Sequence, residues 1–138
     1  MRVGKDIGHA EAQVIVGAIG DELISRNLGA AVAVVDSHGE LVGFLRTDGC
    51  PLASINNAIN KAFTASREGV ESKTIGERSR AEDFPMTNYA DPRYIGWGGG
   101  VPIVIDGEVA GAVGVSGLPE EVDMEFARMG VERLSGTG

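Results

Sequence analysis

Two glycine-bearing segments joined by a tight turn constrain the fold of this chain more than any other feature. Residues 97–100 have the sequence WGGG and lead into the apolar run 101–105, and a second run at 111–117, GAVGVSG, follows the Asp106-Gly107 turn. Asp-Gly between apolar runs is a strong hairpin signal, so the two runs are predicted to pair as a β-hairpin. Glycine removes side chains where another backbone or a ligand must come close. We therefore interpret 98–100 as the wall of a pre-formed small-molecule pocket.

The remaining periodicity predicts helices packed on one sheet. The predicted order is a helix over 6–28, strands over 31–35 and 41–46, helices over 51–66 and 72–79, hairpin strands over 101–105 and 108–115, and a last helix opened by Pro119 and Glu120. Gly29 is predicted to be the left-handed cap of the first helix. Hairpins imply antiparallel pairing, which favours an α+β fold with a single antiparallel sheet. Residues 80–94 show no periodicity and are predicted to form a long loop, a type that is usually functional or mobile.

Length, charge and cysteine content restrict the class of protein. A chain of 138 residues fits a single domain over 1–138. Twelve basic residues face 20 acidic ones, so neither nucleic acid nor an anionic membrane is an expected partner. The single cysteine cannot form an internal disulfide, which fits a reducing compartment. Residues 1–10 contain no apolar segment typical of a signal peptide, so a cytoplasmic location is predicted.

Several catalytic and metal motifs are missing. The segment 96–98 leads into a strand rather than a helix and is not a dinucleotide fingerprint, and neither a Walker A loop nor a Gly-x-Ser-x-Gly elbow occurs. His9 and His38 are predicted at a helix start and in a hairpin turn, as solvated side chains. Since His and Cys do not cluster, no metal site is predicted. Cys50 is predicted to be a small hydrophobic residue rather than an activated thiol.

Three polar residues are candidates for catalysis. Arg46 and Asp48 lie where a strand is predicted to become a helix, and they fit either a polar pocket floor or a surface arginine beside an Asp-Gly turn, with the second slightly favoured. Lys61 lies on a helix that otherwise presents an apolar stripe. Lysine is seldom buried without a partner, so Lys61 is equally compatible with reaching solvent and with holding an anion.

Other candidates flank the glycine-rich segment. Arg93 and Arg67 are positioned to add charge for a carboxylate, which the planar guanidinium binds well. Trp97 fits either stacking on a flat ligand or filling a core that is poor in aromatic residues. Tyr89 and Tyr94 lie in the predicted loop, where packing is the usual role of such residues.

The order and spacing of five motifs resemble one known family. The motifs are 33–36 (AVVD), 46–55 (RTDGCPLASI), 60–65 (NKAFTA), 98–103 (GGGVPI) and 111–117 (GAVGVSG). Over residues 6–134 the chain resembles the GlcG/HbpS-like haem-degrading and haem-binding family, which also occurs as the C-terminal domain of PduO-type corrinoid adenosyltransferases. The resemblance implies a profilin-like fold and a homo-oligomer, a tetramer or octamer built from dimers. It also implies haem or a corrinoid as a possible cofactor. Tyr89 stands where many relatives carry a histidine, and tyrosine is a possible axial ligand to haem iron.

These observations lead to three hypotheses of function. The first is a small-molecule-binding protein for haem or a related tetrapyrrole, with the site formed by Lys61, Tyr89, Arg93, Trp97, Gly98, Gly99 and Gly100. The second is an enzyme or accessory protein acting on a small carboxylate in a catabolic pathway, with Arg46 or Arg93 holding the acid and Lys61 or Asp48 moving a proton. The third is a structural oligomer whose pocket is poorly formed.

Overall fold

The computed structural model describes residues 6–135, which form one four-stranded antiparallel sheet between helices. The elements are α1 His9–Ser25, β1 Ala31–Asp36, β2 Leu41–Arg46, α2 Ala53–Glu68, α3 Ser72–Ala81, a 3₁₀ helix Met86–Tyr89, β3 Gly100–Ile105, β4 Glu108–Ser116 and α4 Glu120–Ser135. The predicted α+β fold is thus confirmed. Within 6–135, no helix is both long enough and apolar enough to cross a membrane.

The sheet joins two hairpins in the order β2-β1-β4-β3. Both predicted hairpins form, and the turn between β3 and β4 places Asp106 and Gly107 at φ 52° and 81°. Positive φ at both central residues is the geometry that suits the twist of a two-residue hairpin. Pairing of β1 with β4, from Ala31 opposite Ser116 onward, unites the hairpins. β3 lies at the edge of the sheet, a position that accommodates Pro102 because proline cannot donate to a second neighbouring strand.

One face of the sheet packs larger apolar side chains against α1 and α4. Val32 and Val34 of β1 lie in a cluster with Ile15 and Ile19 of α1 and Phe126 of α4. The buried apolar residues of α1 recur every three or four positions, as expected of a helix with one face in a core: Ala12, Ile15, Ile19 and Leu23. This face therefore holds the main hydrophobic core.

The opposite face is built from small residues and is covered by α2. Ala33 and Ala112 of the sheet pack with Ala58 and Ala62 of α2. A Cβ at Gly114 would fall inside contact distance of the Ala58 carbonyl oxygen. Small side chains thus let α2 lie close to β4, which brings the middle of α2 against the glycine-rich start of β3.

The end of the first helix differs from the prediction. α1 stops at Ser25, and Asn27, with φ 55°, rather than Gly29, takes the left-handed conformation. Asparagine tolerates this conformation because its short polar side chain can hydrogen-bond locally. Gly29 has another purpose, since a Cβ there would collide with the backbone of Gly49. The predicted glycine cap is therefore wrong, although a glycine is needed at that position.

Two further boundaries shift. α2 begins at Ala53 rather than Pro51 and continues to Glu68, where Gly69 at φ 70° ends it. The predicted loop 80–94 is partly ordered into the 3₁₀ helix Met86–Tyr89. That short helix holds one of the predicted site residues in a fixed place.

Candidate functional site

Four of the seven aromatic residues of this chain form one continuous row, which we call the aromatic ladder. Phe84 meets Tyr89 edge-on at 5.6 Å between ring centroids, Tyr89 stacks on Tyr94 at 4.3 Å and 7°, and Tyr94 meets the edge of Phe63 at 5.6 Å. Stacked and edge-to-face pairs of this kind are favourable beyond the area they bury. A chain poor in aromatic residues has therefore concentrated them at one place.

The inner end of the ladder is anchored in α2. Phe63 is fully buried, and the Tyr94 hydroxyl donates a 2.6 Å hydrogen bond to the Glu68 carboxylate. Burial, reinforced by this bond to Glu68, raises the pKa of Tyr94 to about 12. The Tyr94 phenol is therefore committed to an internal partner, and it supplies a fixed surface on which Tyr89 rests.

Two arginines lie over the Phe63 ring, and each has a hydrogen-bond partner within the chain. The Arg93 guanidinium is 3.8 Å from the ring centroid and is paired with Asp91 at 3.0 Å and Glu40 at 3.2 Å. Arg67 lies 4.7 Å from the same centroid and donates to the His38 carbonyl oxygen. Arg93, predicted to bind a ligand, thus serves as a cation on an aromatic face.

The outer end of the ladder opens onto a cavity of about 350 Å³, which we call the Tyr89 cavity. Its lining comprises Arg78 and Ser79 of α3, Glu82 directly after that helix, and the rings of Phe84 and Tyr89. Phe84 is 42% exposed, so its ring is accessible from the solvent. The cavity therefore combines a phenol, an exposed aromatic ring and a guanidinium, a combination that can bind a flat anionic molecule.

Lys61 and Trp97 belong to a second cluster, which we call the buried amine. The Lys61 ammonium is 1% exposed, donates to Asp123 Oδ2 and to the Val115 carbonyl oxygen, both at 3.1 Å, and lies 5.0 Å from the Trp97 ring centroid. Lys61 therefore does not reach solvent, and the anion that it holds belongs to the chain itself. Trp97 is 52% exposed, so the interpretation of Trp97 as a core plug is wrong.

The three glycines allow the chain to pack closely on itself. A Cβ at Gly100 would collide with the Lys61 carbonyl, one at Gly99 would come within 3.0 Å of Lys61 Nζ, and one at Gly98 would come within 2.7 Å of the Met124 sulfur. Residues of α2 and α4 therefore fill the space on the inner side of 98–100, where the sequence predicted the wall of a pocket. Of the two roles that glycine indicates, close approach of a ligand or of another part of the chain, the structure shows the second.

Hydrogen bonds hold the backbone of the WGGG segment. Buried Ser72, the first residue of α3, donates to the Trp97 carbonyl oxygen at 2.6 Å and accepts from the Gly100 N–H at 2.9 Å. Glu120 accepts from the Gly98 N–H and from Lys73, each at 2.8 Å. The segment therefore has a defined conformation rather than that of a loose tether.

The predicted site residues fall into two groups. The aromatic contacts of Tyr89 are with Phe84 and Tyr94, whereas Trp97, Gly99 and Gly100 lie close to Lys61. Gly98 faces Met124 and Glu120 of α4. Sequence reasoning missed Asp123, which lies in the first turn of α4, where acidic side chains commonly suit the positive end of a helix. Asp123 lies 62 positions beyond Lys61, and no local pattern links the two.

Arg46 and Asp48 line an open cavity of about 260 Å³, together with Thr47, Gly49 and Cys50. Both charged residues are exposed, and Gly49 takes φ 89°, as expected of an Asp-Gly turn. Burial raises the pKa of the Cys50 thiol against the opposing effect of Arg46, so the thiol is not activated. Thr47 is the buried member, with its hydroxyl donating to the Leu28 carbonyl oxygen at 2.7 Å. The geometry fits turn chemistry better than a catalytic floor.

Both histidines are exposed, as predicted. Among the described residues, the side chains of Asp6, Asp36 and His38 bring possible metal-ligand atoms within 4.8 Å of one another. Asp6 Oδ1 already accepts from the Ser37 N–H at 2.8 Å, and Asp36 Oδ1 accepts from the His38 N–H at 2.9 Å. These bonds give the cluster a structural role in the turn between β1 and β2.

The chain resembles known proteins over most of its length. The family described as haem degrading protein, HbpS-like, matches residues 7–132. A 15.0 kDa protein from the dhaT-dhaS intergenic region of Citrobacter freundii is 30% identical over 128 residues, which cover 91% of this chain and 90% of that protein. Protein GlcG of Escherichia coli strain K12 is 32% identical over 105 residues, or 76% of this chain and 77% of GlcG.

Solved structures show the same architecture. Klebsiella pneumoniae protein ORFY superimposes with a TM-score of 0.89 at 26% identity, covering 98% of this chain and 94% of ORFY. A complex of PduOC with haem superimposes with a TM-score of 0.85 at 21% identity, covering 93% of this chain and 94% of PduOC. At that identity the second likeness concerns the fold alone.

Proposed function

The chain belongs to the HbpS-like haem-degrading family, as its motifs suggested, and from that premise we propose that it binds haem or a closely related tetrapyrrole at the Tyr89 cavity. The observation that carries the proposal is the partly buried Tyr89, which is stacked on Tyr94 and lines the cavity together with Phe84 and Arg78. PduOC, a protein of the same fold, has been solved in complex with haem.

The side chains of the Tyr89 cavity fit the chemistry of haem. Tyrosine is one of the residues that hold haem iron in proteins, and the Tyr89 hydroxyl would supply the ligand. The Arg78 guanidinium would pair with a propionate, since its planar donors match a carboxylate. Phe84 would contact the edge or face of the macrocycle. Bound haem would supply an iron centre, while these three residues would bind and orient it.

The two stacked tyrosines provide a matched comparison. Tyr94 has the same phenol and the same stacking partner, but its hydroxyl is bonded to Glu68 and its pKa is raised to about 12. Forming a phenolate at Tyr94 would break that bond and place a negative charge beside a carboxylate. Tyr89 is therefore the expected iron ligand, and Tyr94 is the expected support.

Titration with haem and with metal-free protoporphyrin separates ligation from ring binding. Tyr89→Phe is expected to weaken haem binding about tenfold or more, about 1.4 kcal/mol, and to remove the phenolate-to-iron absorption band. Binding of metal-free protoporphyrin should change little, because the ring at position 89 is kept. Tyr94→Phe, which also keeps its ring, should retain the band.

Arg78→Gln extends the test to the propionate. It should weaken haem and protoporphyrin binding alike, since both carry the same carboxylates. Unchanged haem spectra in Tyr89→Phe, or no spectral change in the wild type at micromolar haem, would refute the proposal. Hydroxocobalamin used as a second probe tests whether a corrinoid is preferred.

The rival hypothesis of an enzyme for a small carboxylate receives less support. Arg93 is already paired with two carboxylates, and Lys61 is already paired with Asp123. Arg46 and Asp48 are exposed on a turn. The arrangement therefore favours a flat ligand at the ladder over a small acid at these positions.

We also propose that the chain assembles with copies of itself. Large apolar side chains are exposed on several elements, including Ile24 at 65%, Leu41 at 49% and Leu52 at 77%. Exposed apolar side chains of this kind often lie in interfaces. Light scattering should give a mass that is a multiple of 14.3 kDa, as for a dimer-based tetramer or octamer, and a monomer would contradict this.

A further inference from the structure

The buried amine is the most unusual polar feature outside the Tyr89 cavity. Lys61 is the largest fully buried side chain of the described residues, and its ammonium is held by one carboxylate and one carbonyl oxygen. Lysine is almost never fully buried unless it is paired. An ammonium has three N–H donors, and the two bonds leave the third beside the Trp97 face.

The Trp97 side chain lies over the Lys61 ammonium. Trp97 is half-exposed and lies in a segment without regular secondary structure, directly before Gly98 and Gly99. Gly99 has φ 130°, a conformation that excludes other residues, and it passes closely by Lys61 Nζ without a side chain. The Trp97 indole therefore covers Nζ, and a small molecule would reach Nζ only after this indole rotates away.

The surroundings shift the pKa values of Lys61 and Asp123 toward each other. Burial lowers the pKa of Lys61, although the Asp123 charge opposes this, and burial raises the pKa of Asp123 against the effect of Lys61. Lys73 is the opposite case, because its hydrogen bond to Glu120 on the surface raises the pKa of Lys73. Each unit by which a lysine pKa falls increases the nucleophilic fraction about tenfold near neutral pH.

We propose that Lys61 forms a reversible imine with a small aldehyde, with Asp123 moving the proton and Trp97 covering the adduct. Asp123 takes a proton from the ammonium, and the amine nitrogen adds to the carbonyl carbon. The nitrogen of the adduct passes a second proton to the new alkoxide oxygen, and Asp123 returns its proton to that hydroxyl, which leaves as water. Ammonium and aldehyde thus yield a protonated imine and one water. Lysine amines desolvated in apolar pockets are known nucleophiles toward carbonyl substrates. This site is separate from the Tyr89 cavity.

Reductive trapping in the wild-type protein tests the proposal. The chain has three lysines, Lys5, Lys61 and Lys73, so peptide mass mapping after treatment with glycolaldehyde and cyanoborohydride assigns every adduct. At pH 7 and limiting aldehyde, Lys61 should be modified about tenfold faster than Lys73, since the neutral fraction decides the rate. Labelling of Lys73, Lys5 or the amino terminus with Lys61 left unmodified would overturn the proposal.

Two further measurements test whether the adduct at Lys61 reflects the lowered pKa of that residue rather than general labelling of lysines. The rate at Lys61 should rise less steeply between pH 7 and 9 than the rate at Lys73, because a lower pKa saturates earlier. A matching pH dependence at both lysines would contradict the proposal. Lys73→Arg keeps the surface charge and should leave labelling at Lys61 unchanged, whereas Lys61→Arg should abolish that adduct and spare Lys73.

Discussion

Removing the partner of Lys61 tests how strongly the buried amine depends on it. Asp123→Asn keeps the size of the side chain and the acceptor for the Leu118 N–H, but it removes the charge that faces the ammonium at 3.1 Å. The side chains of both ion-pair partners are at most 3% exposed, so water cannot replace the lost partner. Breaking such a buried pair costs about 3–5 kcal/mol.

A second argument gives the same magnitude. The isolated ammonium escapes burial of its charge by losing a proton, which at pH 7 costs about 1.4 kcal/mol for each of the ~3.4 units below its ordinary pKa, or ~4.6 kcal/mol. We therefore expect Asp123→Asn to lose about 4 kcal/mol of unfolding free energy. That is a large share of the 5–15 kcal/mol typical of a domain.

The pH dependence identifies the cause. In Asp123→Asn the folded state holds Lys61 with a pKa depressed below its unfolded value, so folding releases a proton and stability rises with pH up to the unfolded pKa. The difference in unfolding free energy between wild type and Asp123→Asn should therefore shrink by up to about 1.4 kcal/mol per pH unit between pH 7 and 10. Urea unfolding followed by circular dichroism and by the fluorescence of the single tryptophan, Trp97, measures this.

A double-mutant cycle supplies the control. Lys61→Met should also destabilise the protein, because it leaves the Asp123 carboxylate with only backbone donors. The double variant, with neither charge, should be at least about 2 kcal/mol more stable than the sum of the single losses implies. Additive losses, or a loss below 1 kcal/mol in Asp123→Asn at pH 7, would refute the reasoning.

Two further predictions concern the tyrosine ladder and the glycines. In a Tyr89→Phe background Tyr94 is the only tyrosine, and its alkaline absorbance titration should centre near pH 12; Glu68→Gln should lower that pKa by removing the carboxylate, and an unchanged midpoint would contradict the assignment. Gly100→Ala should cost about 2–3 kcal/mol because its Cβ collides with the α2 backbone. Gly107→Ala, whose Cβ meets open space at φ 81°, should cost only about 1 kcal/mol, and equal losses would contradict the packing role.

The sequence predicted those features that depend on neighbours along the chain. Both hairpins and the buried faces of α1 and α4 follow from local periodicity and turn chemistry. The pairing of β1 with β4 joins segments about 80 residues apart, and no local pattern specifies it. The family resemblance was confirmed, because motif order records the fold as a whole.

Individual site residues were less predictable for the same reason. The state of Lys61 depends on Asp123, and the open face of Tyr89 depends on Arg78 and Phe84, which α3 and its following turn bring to the ladder. Trp97 could be assigned neither to the core nor to the surface until its neighbours were known. Residue type therefore identified candidates, whereas tertiary contacts decided their roles.

The location of iron in a haem complex tests the central claim most directly. Crystals of the protein soaked with haem, measured at the iron absorption edge, give an anomalous peak whose position requires no assumption about the ring. Our account predicts a peak within bonding distance of the Tyr89 hydroxyl oxygen, with a propionate near Arg78. A peak beside Trp97 and Lys61, or one out of reach of Tyr89, would contradict it.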